Sequence, residues 1–310
     1  NNKLPFRVSS FFSGPLTKNI WGRVSLDVLA IIATIFGIAT SLGLGANQIN
    51  SGLSYMGVIE GSFINTVGII ILITLMGLAS VVLGLKVGIK ILSQINIVLC
   101  IIFLSFIFIT GPTSYILDGL VQNLGSYVQK LLSLSTNTQG YSDSSWQNAW
   151  TLYYYSWWFA WSPFVGLFIA RISYGRSIQE FLIGAVLVPT FIVFIWMGVF
   201  GNAAIYQEFM EPSSLSTAIN NDIAVSLFIF LEQFPFSQVI MWLAIIIILT
   251  FFVTSSDSGA LVTSMLTAAK KENFKDEPPM ILRIIWALSL GIISVVLLAG
   301  GGIGALQTSV

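Results

Sequence analysis

The chain has 310 residues, of which 55% are hydrophobic and only 8% are charged, and its formal net charge is zero. Soluble domains carry roughly 25% charged residues, so a water-soluble protein of this composition would expose large apolar patches. The zero net charge gives no reason to expect a nucleic-acid partner. With no His and a single Cys, the chain excludes a Cys/His zinc site, an internal disulfide and a Ser-His or Cys-His nucleophile pair.

A helix that crosses a bilayer needs about 20 mostly apolar residues, and seven stretches of the chain are long and apolar enough. They cover residues 24–46, 61–85, 91–111, 150–170, 181–205, 237–268 and 284–305. Nearly all basic residues fall on the side of the first residues of the chain: Lys3, Arg7, Lys18, Arg23, Lys86, Lys90, Arg171, Arg176, Lys270, Lys271, Lys275 and Arg283. The positive-inside rule makes this side cytoplasmic. We therefore predict an all-α polytopic membrane protein whose first residues are cytoplasmic.

Two connections on the opposite side predict helices outside the spans. Residues 114–135 place apolar side chains at helical spacing, which is typical of an amphipathic helix on the outer interface. Residues 213–233 predict a second short helix folded over the outer mouth. For both segments, peripheral packing and a gating role remain alternatives.

Residues 146–166 form an aromatic cluster that enters the fourth span. An interfacial belt of Trp and Tyr would occupy about one turn, whereas this cluster runs for several turns towards mid-span. Trp157 and Trp161 are four residues apart and share a helix face, and Tyr154 precedes Trp157 by three. Together with Trp158 they predict an aromatic box that holds a trimethylammonium group by cation–π attraction.

Residues 251–264, late in the sixth span, hold six hydroxyls and one carboxylate. Ser and Thr in a membrane helix often bond back to carbonyls, but Asp257 must be paired, hydrated or near a cation. The adjacent hydroxyls of Thr254 and Ser255, with the carbonyl of Phe251 one turn earlier, are hard oxygen ligands suited to sodium. This segment therefore predicts a sodium site.

Residues 39–46 (ATSLGLGA), at the end of the first span, echo residues 253–260 (VTSSDSGA). The two segments share Thr-Ser and Gly-Ala at the same offsets, and their helices cross the membrane in opposite directions. Inverted repeats of this kind build many secondary transporters.

Four segments together resemble the betaine/choline/carnitine transporter family: residues 27–50, 156–181, 254–262 and 299–308. The resemblance implies a core of two inverted five-helix repeats, the fold of sodium-coupled symporters, in a bacterial inner membrane. Family members have about twelve spans, and this chain corresponds to the fifth through the eleventh. A homotrimer is a further expectation from the resemblance.

The resemblance also assigns roles to individual residues. Trp157, Trp158 and Trp161 match the family's substrate-box tryptophans, and Thr254, Ser255 and the Phe251 carbonyl match its more widely shared sodium site. Thr34 and Phe164 match part of a second sodium site. The chain departs from that second site at Ile38, one turn after Thr34, where sodium-coupled relatives can offer a hydroxyl.

Four residues are candidates for structural or gating roles. Pro163 removes a backbone hydrogen bond inside the fourth span. Arg171 and Arg176 lie at its cytoplasmic end, where positive-inside anchoring with a local ion pair to Glu180 competes with an inner-gate role. Asp257 is the acid deep in a span.

The function that these features predict is sodium-driven uptake of a small quaternary-ammonium osmolyte, with glycine betaine favoured, by alternating access. Sodium is the coupling ion, and no other cofactor is expected. Proton-coupled choline uptake with Asp257 as the titrating group, and sodium-independent exchange, are alternatives within the same family. An intramembrane enzyme is a remote alternative, because a catalytic dyad is hard to assemble without His and with Asp257 as the only acid deep in a span.

Overall fold

The computed structural model describes residues 7–83, 88, 90–210, 215–268 and 278–309, and these residues form helices without any strand. The helices are α1 Ile20–Tyr55, α2 Phe63–Leu83, α3 Lys90–Thr110, α4 Thr113–Thr136, α5 Tyr153–Ile172, α6 Ile178–Met210, α7 Leu215–Asn221, α8 Ser226–Glu232, α9 Ser237–Thr267 and α10 Met280–Thr308. The prediction of an all-α polytopic membrane protein is confirmed.

Six of these helices, α1, α2, α3, α6, α9 and α10, are long and apolar enough to cross a membrane. The remaining predicted span, residues 150–170, contains the 20-residue helix α5. Its mean hydropathy is lower because six of its residues are Tyr or Trp. Five basic residues used for orientation lie outside the described residues, so the orientation stays a prediction: Lys3, Lys86, Lys270, Lys271 and Lys275.

Helix α1 forms the centre of the molecule and packs against α2, α5, α9 and α10. Small residues let these helices approach closely. A Cβ built on Gly45 would lie 2.0 Å from Cε2 of Phe252 in α9, and one built on Gly259 would lie 2.2 Å from Cδ1 of Ile38 in α1. Neither position has room for a larger side chain unless its partner moves.

The contact of Gly45 with Phe252 and the contact of Gly259 with Ile38 are related to each other by the same shift in residue number as the repeated segments 39–46 and 253–260. Gly259 lies 214 positions after Gly45, and Phe252 lies 214 positions after Ile38. The glycine of each helix thus packs on the equivalent large residue of the other helix. This exchange is what a local two-fold relation between α1 and α9 produces, in agreement with the inverted repeat read from residues 39–46 and 253–260.

Helix α10 is interrupted near its outer end. Gly301 and Gly302 leave the helical conformation, and Gly302 has φ +63° and ψ −148°, a conformation essentially restricted to glycine. Beyond the interruption, the Leu306 carbonyl accepts a hydrogen bond from Oγ1 of Thr40 at 2.8 Å. The last turns of α10 therefore remain attached to α1.

Both segments predicted to be helical outside the spans are helical, but the second forms two short helices instead of one. Residues 114–135 fall within α4, which packs against α6 and leaves a row of exposed apolar residues: Val121, Leu124, Val128 and Leu132. Residues 213–233 contain α7 and α8. The first two residues of this segment, 213 and 214, lie outside the described residues. Phe228 of α8 is fully buried over Gly52 at the outer end of α1.

Candidate functional site

Two tryptophans of α5 converge on one backbone oxygen of α1. The indole nitrogens of Trp157 and Trp161 donate to the Gly37 carbonyl at 3.3 and 3.0 Å. A Cβ on Gly37 would lie 2.8 Å from Cδ1 of Trp161, so glycine is what permits this approach. The spacing of four residues places both indoles on one face of α5, as predicted.

Other aromatic rings extend this pair along α5. Tyr153 stacks on Trp157 with ring centroids 5.4 Å apart, and Tyr154 contacts the same ring at 5.9 Å. On the other side, Phe164 meets Trp161 edge-on at 5.4 Å. The predicted contribution of Tyr154 therefore fits the geometry, although its side chain is partly exposed.

Trp158 is not brought to the same face. Its side chain is 71% exposed, because consecutive residues of a helix point about 100° apart. Within the described part of the chain, Trp158 therefore lies apart from the pair formed by Trp157 and Trp161, and its place in a substrate box stays a prediction.

Pro163 lies within α5 without ending it. Because Pro lacks an N–H, the Phe159 carbonyl loses its regular helical donor. The hydroxyl of Ser162 donates to this carbonyl instead, at 2.8 Å. The Ser-Pro sequence, immediately after Trp161, is thus accommodated within the helix.

The predicted sodium ligands of α9 lie together, as their spacing requires. Oγ1 of Thr254 donates to the Phe251 carbonyl at 2.8 Å, and Ser255 is half-buried beside it. Asn96 of α3 approaches the same hydroxyl, with its Nδ2 3.5 Å from Oγ1 of Thr254. Asn96 is only 3% exposed, and its Oδ1 has no hydrogen-bond partner among the described residues.

Asn96 is a candidate site residue that the sequence analysis missed. It lies on a different helix from the hydroxyls, so no spacing rule connects them. The available signal was the presence of two amides, Gln94 and Asn96, inside the apolar stretch 91–111, since polar groups are costly there.

The residues of the second predicted sodium site occupy a mainly apolar environment. Thr34 is fully buried, and its Oγ1 has no hydrogen-bond partner among the described residues. Phe164 is 5% exposed. Ile38, also fully buried, extends its side chain over Gly259 and so offers a hydrocarbon surface one turn from Thr34.

Asp257 is fully buried between α9 and α2. Its Oδ2 accepts a hydrogen bond from the Ser80 hydroxyl at 2.5 Å, and its Oδ1 accepts one from the Ser258 hydroxyl at 3.1 Å. Both oxygens of this buried carboxylate are therefore paired with hydroxyl groups. The contact with Ser80 also joins the C-terminal half of α9 to α2.

The two predicted arginines lie at the C-terminal end of α5 and in the link that follows it. Arg176 forms an exposed ion pair with Glu180 at 3.8 Å, so the local pair is confirmed. Exposed pairs of this kind contribute at most about 1 kcal/mol. Arg171 is half-buried at the end of α5, and a gating role for either residue stays a prediction.

Adjacent residues of α1 connect the two halves of the candidate site. The Gly37 carbonyl holds the tryptophan pair of α5, whereas the Ile38 side chain packs on α9 at Gly259. A shift of α1 relative to α9 would thus change the position of the indoles relative to the hydroxyls. This geometry provides a physical connection between an aromatic site and an oxygen-lined site.

The chain is similar to known bacterial transporters along almost its whole length. It is 41% identical to a glycine betaine transporter of Acinetobacter baylyi, covering 99% of this chain and 46% of the relative. It is 38% identical to a glycine betaine/proline/choline transporter of Vibrio parahaemolyticus, covering 99% of this chain and 55% of the relative. An uncharacterized transporter of Mycobacterium tuberculosis is 43% identical over 91% of this chain and 47% of the relative.

The chain spans about half the length of these curated relatives. The family model for betaine/carnitine/choline transporters matches residues 1–310, which is the entire chain. Both the family and the relatives are transporters, which supports a transporter rather than the remote enzyme alternative. The chain therefore belongs to the betaine/carnitine/choline family of transporters.

Proposed function

We propose that the protein takes up a small quaternary-ammonium osmolyte, with glycine betaine first among the candidates, driven by sodium through alternating access. The observation that carries the proposal is the double hydrogen bond of Trp157 and Trp161 to the Gly37 carbonyl. It fixes the orientation of two indole rings, whose faces attract a cation that has no hydrogen to donate. The names of the relatives agree with this substrate class.

Sodium is proposed to bind at α9. Thr254, Ser255 and the Phe251 carbonyl supply oxygens within one turn, and a hard cation prefers such ligands. The unpartnered Oδ1 of Asn96 would add a fourth oxygen from α3. A second sodium near Thr34 and Phe164 is supported by the buried, unpartnered Thr34 hydroxyl, whereas the hydrocarbon side chain of Ile38 weakens that site.

Coupling between ion and substrate would pass through α1. If sodium favours one position of α9, the contact at Ile38 transmits that preference to α1, and Gly37 transmits it to the indoles. Sodium and substrate then bind with positive coupling, typically 5–150-fold in affinity. The inward sodium gradient would drive release inside.

The test is equilibrium binding of labelled glycine betaine to the full-length protein, with and without sodium at constant ionic strength. We expect sodium to raise the affinity at least fivefold. Thr254→Ala and Ser255→Ala should remove this increase. The matched control is Thr263→Ala on the same helix, whose buried hydroxyl bonds only to carbonyls of α9. If Thr254→Ala and Thr263→Ala behave alike, the proposed sodium site is wrong.

A second candidate function is proton-coupled uptake of choline. The observation in its favour is Asp257, a fully buried carboxylate held by two hydroxyls, which could carry a proton across the membrane. Under this alternative, a pH gradient would drive uptake in the absence of sodium, and Asp257→Asn would abolish that uptake. Sodium-independent exchange would depend neither on sodium nor on a pH gradient.

The same proposal places the protein in a bacterial inner membrane as a homotrimer, with the first residues of the chain cytoplasmic. The exposed apolar row of α4 supports contact with lipid or with another protomer. Crosslinking of the full-length protein in native membranes tests the trimer.

A further inference from the structure

An open cavity of about 600 Å³ lies at the outer end of the molecule. Its walls come from the last turns of α1, the first turn of α2, the link between α7 and α8, and the interruption of α10. None of its lining residues belongs to α5 or α9. Asn50, in its wall, is 13 residues beyond Gly37 on α1, or about 20 Å along the helix at 1.5 Å per residue. The cavity is therefore separate from the tryptophan pair and the α9 hydroxyls.

The polar lining of this cavity consists of oxygen-bearing groups. Asn47, Ser51 and Ser54 project from α1, and Asp222 contributes a carboxylate from the link between α7 and α8. Oδ2 of Asp222 is 3.4 Å from the Ser51 hydroxyl, so the carboxylate lies against α1. No Lys or Arg is among the residues that line the cavity. A site with one carboxylate and no cation attracts positive charge.

Asn50 provides an independent indication of a ligand. Its side chain is 6% exposed, and its Nδ2 donates to the Ser62 carbonyl at 3.2 Å. This bond directs the amide, whose Oδ1 then has no hydrogen-bond partner among the described residues. A buried acceptor without a donor costs free energy unless a ligand or cation satisfies it. Asn50 forms part of the cavity wall, so a cation in the cavity would meet this need.

The interruption of α10 adds backbone oxygens on the other side of the cavity. Leu298, Gly302 and Ile303 line the wall where the helix breaks. The last carbonyls before a break lose their regular helical donors, and the C-terminal end of a helix carries partial negative charge. Irregular backbone within a membrane protein is tolerated where it lines such a cavity.

We propose that this outer cavity binds a monovalent inorganic cation, with Oδ1 of Asn50 and the carboxylate of Asp222 as ligands. The presence of a single carboxylate favours a monovalent over a divalent ion, because high-affinity divalent sites gather several negative ligands. No group of three or more Asp, Glu, His or Cys that could hold a metal ion occurs in the described residues. The width of the cavity leaves room for water to complete the coordination. This site does not depend on the proposed transport function.

The test is thermal unfolding of the full-length protein in lipid nanodiscs as sodium replaces N-methylglucamine at constant ionic strength. The background variant is Thr254→Ala/Ser255→Ala, which lacks the proposed α9 ligands. We expect sodium still to raise its Tm, saturably and by roughly 2–4 °C. Adding Asp222→Asn should remove this shift or raise its midpoint concentration at least tenfold. The control is Asp118→Asn, which removes an exposed outer carboxylate of α4 away from the cavity.

A second readout keeps the proposal testable if Asp222→Asn does not fold. Cys100, the single Cys of this chain, is half-buried within α3. Once any Cys outside these 310 residues is replaced, a membrane-impermeant thiol reagent would report mainly on Ser54→Cys at the cavity. We expect sodium to slow this modification at least twofold and to leave Asp118→Cys unaffected. Equal sodium effects on both cysteines, a Tm shift that persists in Asp222→Asn, or stabilisation by glycine betaine in place of sodium would overturn the proposal.

Discussion

Gly37 is the residue on which the proposed substrate site depends most directly. Its carbonyl accepts hydrogen bonds from both indoles, and its lack of a side chain lets Trp161 approach. The Trp157 and Trp161 rings therefore have a fixed orientation before any substrate arrives. Such preorganisation reduces the entropy lost on binding.

The orientation of these rings predicts unequal effects of two tryptophan substitutions. Trp161→Leu should weaken glycine betaine binding about 2- to 30-fold, because a cation–π contact contributes roughly 0.5–2 kcal/mol. Trp158→Leu is the matched comparison and should have a smaller effect, because Trp158 points away from Gly37. Isothermal titration of both variants measures the difference. Equal loss in both would show that Trp158 belongs to the substrate site.

Asn96 predicts a selective effect on sodium. Asn96→Ala removes an amide whose Nδ2 lies 3.5 Å from Oγ1 of Thr254 and whose Oδ1 has no hydrogen-bond partner among the described residues. It should raise the sodium concentration for half-maximal uptake severalfold. Maximal uptake at saturating sodium should change little. Cys100→Ala, one turn later on the same helix, controls for packing changes in α3. An unchanged sodium midpoint in Asn96→Ala would remove this residue from the proposed site.

At this scale, the sequence predicted contacts within a helix better than contacts between helices. The shared face of Trp157 and Trp161 and the bond from Thr254 to Phe251 follow from helical spacing alone. The approach of Asn96 to Thr254 depends on how α3 packs on α9, which spacing along one segment does not encode. Helical spacing also separates Trp158 from Trp157 and Trp161, because consecutive residues point about 100° apart. The prediction nevertheless placed all three tryptophans in one box, because the family motif groups them.

At the scale of elements, the crossing of α1 and α9 repeats one contact twice. Gly45 packs under Phe252, and Gly259 packs under Ile38. The partner at Gly45 is a rigid ring, whereas the partner at Gly259 is the far end of a flexible side chain. The two glycines should therefore differ in how well they tolerate a methyl group.

This difference leads to a prediction about stability. Gly45→Ala and Gly259→Ala should each destabilise the protein by about 1–3 kcal/mol through overpacking. Ile38→Val removes the Cδ1 that a Cβ at Gly259 would meet, so it should rescue Gly259→Ala but not Gly45→Ala. Thermal unfolding measures each variant. Gly68→Ala is the control, since nothing lies within 4 Å of a Cβ there. Rescue of both variants, or of neither, would contradict this packing.

The bounds of elements show what apolar composition does and does not determine. Residues 237–268 predicted α9 closely, because its apolar stretch matches its length. Helix α1 continues to Tyr55, well beyond the predicted end at residue 46. In this additional part of the helix, Phe228 covers Gly52, and the Tyr55 hydroxyl donates a hydrogen bond to Glu232. These contacts come from the outer segment that contains α8, so they are tertiary. The glycines of residues 299–308 were part of the family resemblance, but their break in α10 was not predicted.

In the molecule as a whole, α1 joins the two parts of the proposed site. The indole pair of α5 and Gly259 of α9 contact α1 at the adjacent residues Gly37 and Ile38. The exposed Trp158 and Phe251 leave surfaces for further contacts. The chain also spans about half the length of its relatives. The transport experiments therefore require the protein at full length.

The proposed function is sodium-driven uptake of a quaternary-ammonium solute. The most direct measurement is accumulation of labelled glycine betaine by proteoliposomes that contain the full-length protein, at fixed and equal pH on both sides. An inward sodium gradient is compared with equal gradients of potassium and of lithium. We expect accumulation above the external concentration only with sodium. Unchanged accumulation after sodium is replaced would contradict the account.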